Sequence, residues 1–258
     1  MPEGLEAEIF RLAIEPTVGR RIDGVWVDEQ VAEVGLAAIA TGTTIEGVRR
    51  AGKVVLVDTD GPTIGLHLGM TGRIVVDGAA PIDRLEYSSG RDRPEWDRLR
   101  IRTTPGVDGT DAIRMNDPRR LGRISVDPDL SRLGPDSFGI RTNVLRDRLV
   151  GRRIAIKAAL LDQSVVAGLG NMLADEVLWW SGIDPRRPAG ELAPDEVAEL
   201  AAVIRRRLPV MLRRGGSHTG MIGPAERADC PPCRRDGTPL RRTTIGGRTA
   251  VWCPGHQR

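Results

Sequence analysis

The apolar pattern passes from strand-like to helical part-way along this 258-residue chain, and that change limits what it can fold into. From Arg21 to about Val126 the chain runs in short β-rich stretches, such as "IDGVWVDE" and "TTIEGVRRAGKVVLVDTDG", separated by Gly, Asp and Pro turns. Several short strands at this spacing predict an antiparallel sandwich or barrel. After "VDPDLSRLGPDSFG" the period becomes helical. Residues 142–163 and 165–181 are expected as helices, and "APDEVAELAAVIRRRLPVML" as an amphipathic helix opened by Pro194-Asp195-Glu196. Ahead of the strands, Leu5, Ile9, Phe10, Leu12, Ala13 and Ile14 mark a helix over residues 1–15 that Pro16 stops. Strands followed by helices make an α+β multidomain chain. The expected organisation is an N-terminal β-sandwich with its own N-terminal helix over 1–127, a helical domain over 128–222, and a small module over 223–258.

Composition excludes some classes. Apolar residues make up 40% and charged residues 28%, an ordinary globular balance, and no apolar run approaches the ~18 residues of a membrane span. No secretory pattern opens the chain, so a cytoplasmic, nucleoid-associated protein without a membrane partner is expected. The net charge of +3 is unevenly spread: residues 204–258 balance to +9 and the preceding 203 to −6. A basic tail on a mildly acidic body fits a polyanionic partner, and equally an Arg-rich solvated surface.

The tail "CPPCRRDGTPLRRTTIGGRTAVWCPGHQR" holds all three cysteines. Cys230 and Cys233 form a C-x2-C pair, and Cys253 and His256 a C-x2-H pair, with 19 residues between them that read as a β-hairpin. Two-residue spacing turns both donors of a pair toward one ion, and two pairs complete a tetrahedron. Three thiolates and one imidazole give a closed, structural Zn²⁺ site, favoured here over three unrelated thiols. Such an ion would hold a hairpin too small to fold alone.

Three other stretches carry candidate chemistry. In "LHLGMTGR", His67 reads either as a packed or surface residue or as a functional one. In "RMNDPRRLGRI", the turn Asn116-Asp117-Pro118 presents Arg119 and Arg120, suited to phosphates or base edges, or to pairing with local Asp residues. In "LLDQSVVAGLGNMLADEVLWWSGIDP", Gly168, Gly170 and Asn171 lead into a helix bearing Asp175 and Glu176. That turn either offers helix N-terminal amides to a phosphate or simply packs two helices tightly. Finally, the "MPEG" start leaves Pro2 as a terminal secondary amine once Met1 is removed, with Glu3 beside it.

In order, "MPEG-x-E", the Lys of "AGKVVLV", "HLGMTG", "NDPRRLG", "LGPDSF", "IKAALLDQSVVAGLGNMLADEVL…GIDP" and the terminal cysteine hairpin resemble the formamidopyrimidine-DNA glycosylase / endonuclease VIII (Fpg/Nei) family over nearly the whole chain. The resemblance implies a β-sandwich, a helix–two-turns–helix domain and a zinc finger, with damaged double-stranded DNA lying between the two main domains of a monomer. It implies a bifunctional DNA glycosylase and AP lyase of base-excision repair. Pro2 attacks C1′ of the damaged nucleoside, the base leaves, an iminium forms, and Glu3 protonates the opening sugar. Elimination at the 3′ and then the 5′ phosphate follows. Catalytic expectations therefore fall on Pro2, Glu3 and Lys53. Lys53, His67, Asn171 and Arg248 match positions that grip phosphates, Met70 and Arg119 match residues that fill the gap in the duplex, and Lys157 lies in a matching motif and is expected at the DNA. The metal ligands expected are Cys230, Cys233, Cys253 and His256.

Three departures from the family pattern stand out. Leu121 occupies the place of a Phe wedge, so the filling stays apolar. His256 replaces a fourth Cys. Only 11 residues separate His218 from Cys230, where 8-oxoguanine enzymes carry a longer capping loop. Oxidised pyrimidines, ring-opened purines, hydantoins and abasic sites become at least as fitting as 8-oxoguanine. Two rival readings remain: a clamp of the same fold that binds damaged DNA with weak or no chemistry, and a zinc-ribbon RNA-binding protein.

Overall fold

The computed structural model describes residues 2–82, 85, 90–104 and 111–258. The chain divides into two compact units: Pro2 with Glu6–Leu130, and Glu3–Leu5 with Ser131–Arg258.

Helix α1 (Gly4–Ile14) enters the first unit at Glu6, and its Ala7, Phe10 and Ile14 are buried there at helical spacing. Pro16 converts the end of α1 into a single 3-10 turn, Glu15–Thr17, as expected from a residue that cannot donate to the helix ladder. Strand β1 (Arg21–Val27), a short helix α2 (Leu36–Ala40), and strands β2 (Ile45–Ala51), β3 (Val54–Thr59), β4 (Ile64–His67), β5 (Arg73–Val76), β6 (Asp97–Thr104), β7 (Ile113–Asn116) and β8 (Arg123–Val126) follow. They form two antiparallel four-stranded sheets, ordered β1-β6-β7-β5 and β2-β3-β4-β8. Ile22, Leu99, Ile101, Ile113 and Met115 of the first sheet and Ile45, Val55, Val57, Leu66 and Ile124 of the second share one core. Alternate strand positions thus point inward from both sheets, which makes the expected sandwich.

In the second unit the helices are shorter than expected. The run over 142–163 is two helices, α3 (Thr142–Leu149) and α4 (Ile156–Leu161). Gly151 lies between them in the left-handed region (φ 72°), a conformation that ends a helix at little cost only for glycine. The run over 165–181 is helical only as α5 (Asn171–Ser181), because residues 162–170 fold back as a loop. Helix α6 (Pro194–Arg213) matches the amphipathic segment and buries Val197, Leu200, Ala201, Ile204, Leu208 and Met211 against α5 and α3. Helix α7 (Pro224–Asp229) then leads into the hairpin of β9 (Arg241–Ile245) and β10 (Arg248–Trp252). The Gly246-Gly247 turn has φ of 56° and 72°, the left-handed pair that a two-residue hairpin demands. No helix among the described residues is long and apolar enough to cross a membrane.

Candidate functional site

In the first unit Pro2 is buried ahead of α1. Lys53 occupies the two-residue turn between β2 and β3, where Ala51 pairs with Val54 and Gly52 takes the left-handed φ (58°). His67 ends β4 opposite Val54, one residue from Lys53. Its ring reaches solvent, yet desolvation lowers its pKa and the neighbouring Lys53 ammonium lowers it further. The imidazole is therefore neutral near pH 7. The Gly69 amide donates to His67 Nδ1 at 3.3 Å, which leaves Nε2 as the protonated, donating nitrogen.

The next turn is held to the one carrying the arginines by Asp117, which is fully buried and which a sequence reading takes only for part of a turn. Its carboxylate accepts the Thr71 hydroxyl and the amides of Arg119 (3.2 Å), Leu121 (2.7 Å) and Gly122 (2.7 Å). Gly69 lies so close to the other loop that a Cβ there would strike the Leu121 carbonyl and come within 2.7 Å of the Gly122 amide. Met70 and Leu121, the latter 42% exposed, are carried on these two coupled loops. The two neighbouring arginines divide their roles. Arg120 is paired with Asp28 at 2.8 Å, whereas Arg119 is exposed with no acid at ion-pair distance among the described residues.

In the second unit Glu3 is 1% exposed and sits at the start of α5. Its carboxylate accepts the amides of Gly170 (2.9 Å), Met172 (2.8 Å) and Leu173 (3.1 Å). These are the unpaired donors of a helix N-terminus, so the anion they hold is the chain's own carboxylate rather than a phosphate. Gly170 is required because a Cβ there would collide with Glu3. Gln163 braces the loop, donating to the carbonyls of Leu161 and Leu169 at 2.9 Å each and accepting the Gly168 amide at 3.0 Å. Asn171 lies beside this cap with its Oδ1 buried and unpartnered.

Lys157 differs from its expected place at the DNA. Its side chain is 0% exposed, pairs with Asp175 at 2.7 Å and donates to the Thr249 carbonyl at 2.6 Å. A fully buried ammonium satisfied in this way is a bracket for the hairpin and offers nothing to a phosphate. Asp175 also receives Arg227 and the Val251 amide, while Glu176 accepts Trp180 Nε1 (2.8 Å) and the amides of Met221 (2.6 Å) and Ile222 (3.0 Å). Together the two acids fasten α5 to the tail, a role that their adjacent positions in sequence do not disclose. Arg248 is exposed directly after the hairpin turn.

Three of the four expected metal ligands, Cys233, Cys253 and His256, converge, and the fourth member of the group is Asp236 rather than Cys230. The four donor atoms lie within 4.8 Å of one another. Cys233 Sγ is 3.6 Å from His256 Nδ1, and Asp236 Oδ2 is 3.4 Å from both Cys253 Sγ and His256 Nδ1. Two soft thiols, an imidazole and a carboxylate are a donor set suited to a divalent metal.

The family model of the formamidopyrimidine-DNA glycosylase N-terminal domain matches residues 1–124, and that of its H2TH domain matches residues 133–222. The chain is 32% identical to a formamidopyrimidine-DNA glycosylase of Acidithiobacillus ferrooxidans and 34% identical to one of Xanthomonas oryzae, over 100% of each chain. Among solved structures it resembles Lactococcus lactis formamidopyrimidine-DNA glycosylase non-covalently bound to DNA containing an abasic site (25% identity, TM-score 0.78, 99% of each chain). It also resembles the corresponding protein of Thermus thermophilus (26% identity, TM-score 0.80, covering 99% of this chain and 98% of that one).

Proposed function

The chain belongs to the formamidopyrimidine-DNA glycosylase family, and from that premise we propose that it excises oxidised bases from duplex DNA and then cuts the strand as an AP lyase through Pro2. The observation that carries this reading is the anchoring of Glu3 by three amides at the N-terminus of α5, those of Gly170, Met172 and Leu173. Pro2 is bonded to Glu3, so fixing that carboxylate fixes the backbone from which the amine projects, which is the positioning a nucleophile needs.

After removal of Met1, the Pro2 nitrogen adds to C1′ as the C1′–N bond to the damaged base breaks. The Glu3 carboxylate takes the proton that the Pro2 nitrogen loses and passes it to the ring oxygen as the sugar ring opens, the departing base takes its proton from water, and the nitrogen becomes a cationic iminium. That cation withdraws electrons from C2′, making its proton removable and expelling the 3′ phosphate; a second elimination expels the 5′ phosphate. Lys53, His67, Asn171 and Arg248 hold the phosphates around an extruded nucleotide, His67 as a neutral Nε2–H donor and the cations by charge. Met70, Leu121 and Arg119 occupy the space that the nucleotide vacates, two apolar groups beside one guanidinium. The protein acts as a monomer on damaged double-stranded DNA in the cytoplasm, with 1–127, 128–222 and 223–258 as its working segments. One structural Zn²⁺ in the last segment supplies no chemistry and holds the hairpin that carries Arg248.

The short His218–Cys230 segment is occupied by α7 and leaves little chain for a purine cap. Oxidised pyrimidines, ring-opened purines, hydantoins and abasic sites are therefore expected to be processed at least as well as 8-oxoguanine. A cleavage panel on duplexes bearing each lesion checks this. Base release and strand cleavage on the first group is the expected result, and binding without cleavage on every lesion would leave only a damage-binding clamp.

A further inference from the structure

The tail holds five metal donors, and sequence spacing alone pairs Cys230 with Cys233. The geometry points to a different set: we propose that the zinc of this chain is held by Cys233, Asp236, Cys253 and His256, so that the first knuckle is Cys233-Arg-Arg-Asp236 and Cys230 is not a ligand. The inference rests on the structural-zinc reading above and names its ligands.

The two knuckles then have one construction. Cys233 and Asp236 are separated by two residues, as are Cys253 and His256. In the first turn the Gly237 amide donates to the Cys233 carbonyl at 2.8 Å, and in the second the Gln257 amide donates to the Cys253 carbonyl at 3.1 Å. The same bond, from the fifth residue back to the first, closes both turns and places residues one and four on one side. Cys230 has no such place. It caps α7 in the left-handed conformation (φ 48°), its amide donating to the Glu226 carbonyl at 3.1 Å.

The donors are gathered almost to the spacing of a tetrahedron. Metal bonds of roughly 2.0–2.3 Å at tetrahedral angles put neighbouring ligand atoms about 3.3–3.8 Å apart. Three of the six separations among these donors, 3.4, 3.4 and 3.6 Å, fall within that interval, and all six lie within 4.8 Å. Each donor is also aimed. The Trp179 carbonyl can only accept, so His256 Nε2, 3.1 Å away, carries the proton and Nδ1 turns its lone pair to the group. The Thr238 amide holds Asp236 Oδ1 at 2.9 Å, and the Arg235 amide points at Cys233 Sγ at 3.4 Å. Gly255 gives the carboxylate its space, since a Cβ there would come within 2.5 Å of Asp236 Oδ2.

The experiment measures bound zinc in the full-length protein and its variants, by elemental analysis and chelator competition, together with the absorption of cobalt-substituted protein. Wild type and Cys230→Ser should each hold one zinc with equal retention. Cys233→Ser and Asp236→Ala should hold it at least ~10-fold more weakly. Wild-type cobalt protein should show thiolate charge-transfer absorption for two thiolates, unchanged in Cys230→Ser and raised to that of three thiolates, about half as much again, in Asp236→Cys, which should keep its metal. If Asp236→Ala does not fold, the two-thiolate wild-type spectrum and the Asp236→Cys gain still decide the matter. Loss of zinc in Cys230→Ser with full retention in Asp236→Ala, or a three-thiolate wild-type spectrum, overturns this ligand set while leaving the zinc reading intact. A wild-type protein that binds no zinc overturns the zinc reading itself, and this proposal with it.

Discussion

His67 shows how one residue acquires a chemical role from its neighbours. In sequence it is a histidine among small residues, and nothing about its spacing separates a packed ring from a phosphate donor. The structure supplies what was missing: the Gly69 amide on Nδ1 sets the tautomer, and desolvation with the Lys53 charge keeps the ring neutral. The charge comes from a turn that the sheet brings alongside, and the amide from two residues further along the chain. Replacing Lys53 with Ala removes the charge and leaves the desolvation, so the His67 pKa should rise toward the ordinary imidazole value without fully reaching it. A titration followed by imidazole NMR checks this, and an unchanged or lower pKa would show that Lys53 does not act on the ring. Glu3 teaches the converse. Its place beside Pro2 was legible from the first residues, but its partners are 167 to 170 positions away and no local pattern encodes them.

At the scale of elements, the strands and the hairpin follow from short β-rich runs and the turn residues between them, all local signals. The helical half was legible in type but not in extent. The run over 142–163 breaks at Gly151, and residues 162–170 form a loop braced by Gln163, because packing around Glu3 outweighs helix propensity there. Lys157, expected at the DNA from the motif it lies in, is enclosed against Asp175, a partner that only the fold brings to it. Asp117 is the element-scale hinge of the account, since one buried carboxylate ties the Met70 turn to the Arg119–Leu121 turn. Asp117→Ala leaves three amides and a hydroxyl without their acceptor and should cost about 3 kcal/mol. Chemical denaturation measures that loss, and affinity for a damaged duplex should fall with it. An unchanged unfolding midpoint would mean that the two loops are held by something else.

At the scale of the molecule, the order of strands then helices was readable from the change of period, and the family from motifs spread along the chain. Each compact unit carries part of the expected machinery: Pro2, Lys53, His67, Met70, Arg119 and Leu121 in one, and Glu3, Asn171, Arg248 and the metal group in the other. The metal group was half legible, because the knuckle spacing marked the tail while Asp236, an acid in a turn, gave no sign until the donors were placed together. The central claim is that the mature amino-terminal proline is the nucleophile, and borohydride trapping tests it most directly. Wild-type protein incubated with an abasic duplex and sodium borohydride should form a covalent complex. Its mass should correspond to the chain without Met1 plus DNA, with the reduced sugar on Pro2 in the N-terminal peptide. No adduct, or an adduct confined to a lysine, would contradict the account.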